Sequence, residues 1–187
     1  MQKDYEYEIS QNQLQKYNDD FKHYFACTKS MFNKMNHTAK KARRLIATQI
    51  NDTTQKQQQK KLKSMHKFHS NHEEIITALK LELKNLQRIV DYLKEKQPML
   101  KSLAQTMKYE EENTFSSTRK TYVAKIFVLS KELDKNISFS KNYIIPKMHV
   151  TLEKNQALNN KLDKRLYKIK QQNKNSKAQT QNTNPTF

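Results

Sequence analysis

Apolar residues recur along this chain at alternating steps of three and four, in two long runs. Leu14, Tyr17, Phe21, Tyr24, Thr28, Met31, Met35, Thr38, Ala42 and Leu45 form the first. Leu62, Met65, His69, His72, Ile76, Leu79, Leu83, Leu86, Val90 and Leu93 form the second. Eight of ten positions are apolar in each run, although only 35% of the chain is hydrophobic. A period of about 3.5 residues lays a narrow apolar stripe down one side of a helix, and that stripe must be covered by another helix. The pattern predicts an all-α protein built as an extended coiled-coil rod with at least one antiparallel fold-back. No segment shows convincing strand alternation. Tyr122–Leu129 is the most strand-like stretch, but it sits inside helical spacing.

The same pattern sets expected boundaries. Ser10 and Gln13, just ahead of Leu14, resemble a capping box, so residues 1–10 read as an extension and the first helix as starting near residue 11. Residues 11–97 read as one long heptad helix or as two. Residues 51–61 have no apolar side chain, and they are either a polar connection or a solvated stretch of a continuous rod. Counting in sevens from Leu14 misses the second run by one residue, which a skip and a true break both explain. Pro98 suits a first helical turn, so residues 98–170 read as fold-back helices beginning near Met99. Within them, a loop is expected near 109–117 and a break at Pro146. From residue 171 the chain is polar and basic, and a disordered tail is expected over 171–187.

Composition narrows the picture. There is no Gly and no Trp, and only three Pro, which excludes the Gly-rich phosphate loop and the dinucleotide fingerprint. A mean hydropathy of −1.06 leaves enough apolar material for seams between helices and too little for a broad core. Cys27 is the only cysteine, so no internal disulfide is available; its neighbours favour a small buried hydrophobe. The first eight residues are acidic and lack an apolar stretch. They read as neither a secretory signal nor a transit peptide, and a cytoplasmic location is expected.

The net charge is +18, from 36 Lys and Arg against 18 Asp and Glu, and 31 of the 36 are Lys. Lysine is a hydrated point charge, so this surface reads as diffuse attraction to something acidic. Two concentrations stand out: Lys40, Lys41, Arg43 and Arg44 with Lys60, Lys61 and Lys63, and later Lys161, Lys164, Arg165 and Lys168. An acidic protein assembly such as the tubulin lattice, together with other coiled-coil proteins, is the favoured partner. Nucleic acid is the alternative, although aromatic interleaving of the kind that stacks on bases reads as missing from both concentrations. An anionic membrane surface is a third reading, disfavoured because the basic residues are spread along the chain. His66, His69 and His72 recur at steps of three, but two fall on the seam, where polar residues fix register. No catalytic residue, metal ligand or cofactor is assigned.

The stretch from His72 to Leu133 resembles the second half of a tektin repeat. It offers Glu74-Ile75, then Pro98-Met99-Leu100-Lys101-Ser102-Leu103-Ala104-Gln105-Thr106-Met107, a polar loop, and a returning helix from Thr118. It departs from that pattern by single insertions before Leu100 and Ala104. Asn113–Ser117 stand where the tektin loop signature would be. The resemblance implies a non-enzymatic filament protein on the microtubules of a ciliary axoneme.

Overall fold

The computed structural model describes residues 2–48, 55–112 and 117–181. It is almost entirely helical, with no strand among the described residues: α1 (Gln2–Ala47), α2 (Gln55–Glu112), α3 (Ser117–Phe139), a π-helical turn (Ser140–Ile144) and α4 (Ile145–Gln181). No helix among the described residues is long and apolar enough to cross a membrane. The chain divides into two compact units, Met1–Ser30 with Leu81–His149, and Met31–Lys80 with Val150–Phe187.

In the first unit, the Tyr17 and Tyr92 rings meet edge to face at 6.0 Å, and Thr28 Oγ1 donates to the Glu82 carbonyl at 3.1 Å. Numbers rise along α1 as they fall along α2, so the two helices run in opposite directions. Asn18 Nδ2 donates to the Leu129 carbonyl at 3.2 Å, and Lys22 pairs with Glu132 at 3.1 Å, so α3 runs alongside α1 in the same direction. Gln97 and Lys101 both reach Asp134, which fastens α2 to α3. Leu14, Phe21, Leu86, Leu93, Ile126 and Leu133 are buried between the three helices. Each such side chain contributes roughly 1.5–3 kcal/mol.

In the second unit, Thr38 of α1 bonds His72 of α2 at 2.8 Å, and the Lys41 ammonium lies 5.2 Å above the Phe68 ring. Again the two helices are antiparallel. Ala42, Met65, Phe68, Leu162, Leu166 and Ile169 form one buried cluster, so α4 supplies the third wall.

Most expected seam positions are placed where the pattern put them. Leu14, Tyr17, Phe21, Met35, Met65, Ile76, Leu79, Leu83, Leu86, Val90 and Leu93 are buried, whereas Tyr24, Met31, Leu45 and Leu62 are half-buried. One step is corrected. The second seam passes through Phe68 rather than His69, so it runs Met65, Phe68, His72, Ile76 with two successive steps of four. The register is the same on either side of this irregularity, because Leu62 to Ile76 still spans two whole heptads.

Several expected boundaries move. The helix expected from residue 11 begins at Gln2, and Tyr7 is already buried, so packing extends it past the capping box. No new helix starts at Pro98; α2 runs through it. Proline in a helix interior costs about 3 kcal/mol, because it lacks an N–H and crowds the carbonyl four residues back. Here Leu93 and Leu100 are buried on either side while Pro98 itself is exposed, and their packing holds the helix together. The break expected at Pro146 is a π-helical turn instead. The Ile145 N–H donates to the Ser140 carbonyl five residues back, which widens the helix just ahead of the proline ring. The tail expected to be disordered from residue 171 is helical to Gln181. Residues 51–54 of the polar stretch, residues 113–116 of the expected loop and residues 182–187 of the expected tail lie outside the described residues.

Candidate docking surface

The charge is unequally shared between the two units. The first holds 17 Lys and Arg against 13 Asp and Glu, a net +4; the second holds 19 against 5, a net +14. The two basic concentrations, about 120 residues apart in sequence, therefore belong to one unit.

The packing explains how they meet. The cluster of Ala42, Met65, Phe68, Leu162, Leu166 and Ile169 ties the last turns of α1 to the first third of α2 and the middle of α4. Around that cluster, residues 34–47, 57–70 and 158–174 hold fifteen Lys and Arg and a single acid, Asp163. Lys40, Lys41, Arg43, Arg44, Lys60, Lys61, Lys63, Lys161, Lys164 and Lys168 are all exposed. Arg44, in the last turn of α1, also sits where the helix dipole is negative, which favours a cation there. By contrast, the ion pairs among described residues that fasten helices together, Lys22–Glu132 and Lys101–Asp134, are both in the first unit.

Arg165 is the exception. It is half-buried, and its Nη2 donates to the Thr48 carbonyl at 3.0 Å, just beyond the last residue of α1. A helix C-terminus leaves carbonyls without intrahelical partners, so Arg165 caps α1 rather than facing a partner. Tyr167 is 63% exposed and stands between Lys164 and Lys168, so interleaving is present at one position where the sequence reading found none.

The three histidines part company. His66 faces α4 beside Asp163 and Lys170, whereas His72 is fully buried against Thr38 and stacks on Phe68 at 5.8 Å. Thr38 Oγ1 also lies 3.0 Å from the Met35 carbonyl, which takes its proton; His72 Nδ1–H then donates to Thr38, and Nε2 is left buried without a partner. Cys27 is half-buried, with its Sγ 3.9 Å from His23 Nε2.

Burial, with His69 as a lesser cause, holds the His72 pKa below its ordinary 6.5. The unfolded chain thus takes up this proton at higher pH than the folded one. The contribution to stability is complete above about pH 6.5 and is lost as the pH falls below it. Thermal melts from about pH 7.5 down to about pH 5.5 should show the melting temperature falling, and His72→Leu should flatten that slope. Equal slopes in the two proteins would contradict the burial argument.

No family model matches the chain, no curated protein does, and no solved structure does.

Proposed function

We propose that this protein is a non-enzymatic helical scaffold that docks through its basic unit on an extended acidic assembly, the tubulin lattice of a ciliary axoneme being the favoured partner. The observation that carries this reading is the end of the second unit, with fifteen cations, one acid and three converging helices. At physiological salt, screening acts over about 8 Å, so scattered charges fade while a dense patch retains its field at contact. The exposed groups are overwhelmingly lysine, which suits a lattice of dispersed carboxylates better than a single planar target. Apolar seams hold the helices together, and most of the cations, Arg165 and Lys41 aside, are left to meet a partner. The tektin resemblance of His72–Leu133 supports the same class of partner.

The ribonucleoprotein reading stands second, favoured by the exposed Tyr167 between lysines, because an aromatic ring can stack on a base. Co-pelleting with purified microtubules separates the two. The protein should enter the pellet at low salt, leave it as salt rises, and stay bound when RNA is added. Absence from the pellet at low salt overturns the docking reading, and displacement by RNA of matched charge replaces it with the second.

A further inference from the structure

We propose that the groove between α2 and α4 around His66 is a seat for a compact phosphate anion. It is a cavity of about 300 Å³ lined by His66 from α2 and by Asp163, Lys164, Tyr167, Lys168 and Lys170 from α4, with Leu166 as its apolar floor. It shares Lys164 and Lys168 with the candidate docking surface, but it stands on the shape and lining of the groove whether or not the lattice binds.

Three features converge there. Lys164 and Lys168 are one helical turn apart on α4, and like charges at that spacing repel. With Lys170 they put three lysines on the lining of one groove, where a multiply charged anion held between their ammonium groups would relieve the repulsion. The second feature is His66, whose Nε2 is buried and has no hydrogen-bond partner. Burial and then Lys170 lower its pKa, with a further push from His69 and an opposing pull from Asp163. An anion in the groove would favour the imidazolium, which donates from both ring nitrogens. Third, the Tyr167 hydroxyl already accepts from Gln171 Nε2 at 2.9 Å, so its own proton is left to donate.

The match is to phosphate rather than carboxylate. A phosphomonoester brings about two negative charges and three acceptor oxygens, enough for ammonium, imidazolium and phenol donors arriving from different directions. A carboxylate brings one charge and two oxygens, so it gains about half as much from the net positive lining and meets fewer of the donors. The phosphate can belong to a soluble polyphosphoryl anion or to a lipid headgroup, and the test distinguishes them.

The experiment titrates the full chain with sodium tripolyphosphate at fixed ionic strength, by calorimetry and by NMR of the histidine rings. Saturable one-site binding is expected, with the His66 resonances moving toward the charged form. Replacing Lys164 and Lys168 by Gln should weaken binding about tenfold or more, whereas Lys34→Gln with Lys154→Gln, an equal charge loss elsewhere in the unit, should leave it within about twofold. A parallel arm compares phosphatidylinositol bisphosphate vesicles with phosphatidylserine vesicles of equal charge. Preferential capture by the former places the phosphate on a headgroup; tripolyphosphate binding without it places the phosphate on a soluble anion. Non-saturable binding, unmoved His66 resonances, or equal weakening by both double variants overturns the proposal. Microtubules take no part, so a failure of lattice docking is read separately.

Discussion

Leu162→Ala is expected to destabilise the protein by about 2–5 kcal/mol, the range for deleting a fully buried leucine side chain. Leu162 has no exposed surface and sits in the cluster with Ala42, Met65, Phe68, Leu166 and Ile169, contributed by α1, α2 and α4. The cost depends on how far the neighbours can close the hole. Ala42 has only a methyl group, too short to extend into it, and Phe68 is already stacked on His72, so collapse is restricted. A domain is typically stable by only about 5–15 kcal/mol, so this one change removes a large share of the margin. It also loosens the frame that brings Lys40 and Lys41 to Lys161 and Lys164. Leu81→Ala supplies the comparison: Leu81 is 59% exposed, and its loss should stay within about 0.5 kcal/mol. Urea denaturation of both variants measures the difference, and equal midpoints would mean that the cluster is not a core.

Much of the helical fold is written in the apolar spacing. Leu79, Leu83, Leu86, Val90 and Leu93 are buried as their steps of three and four require, because periodicity depends only on local geometry. The boundaries were less legible, since capping and proline signals are local while packing is not. Tyr7 is buried ahead of the Ser10 box, and the leucines flanking Pro98 outweigh a cost that propensity alone would treat as decisive. His69 looked like a seam residue because the alternation pointed to it, yet the larger apolar Phe68 next to it takes the core position.

The candidate docking surface was legible only in pieces. Each basic concentration is plain in the sequence, but their union depends on Ala42 meeting Leu162 and Leu166, contacts that span about 120 residues. The role of Arg165 was hidden for the same reason. Nothing in a run of lysines marks one arginine as the cap of a helix that ended far upstream. Tyr167 was legible in principle, as an aromatic one turn along from Lys164 on the same helix, and the count of charges obscured it.

Docking of the proposed kind requires that the placement of the cations, rather than their number, decides what this protein holds. Two variants with six cations each replaced by glutamine test it. One loses Lys40, Lys41, Arg43, Arg44, Lys164 and Lys168 from the basic unit. The other loses Lys16, Lys29, Lys84, Arg88, Lys125 and Lys135, all exposed, from the first unit. Both drop from +18 to +12, because six positive charges are removed from each. A cation close to an anionic surface is worth about 1 kcal/mol. If half of the six make contact, the first variant should lose about a hundredfold in affinity for microtubules at low salt. The second variant should stay close to the unaltered protein and keep its dependence on salt. Equal losses in the two variants would contradict the account, since binding would then follow net charge alone and the gathering of cations in one unit would have no part in it.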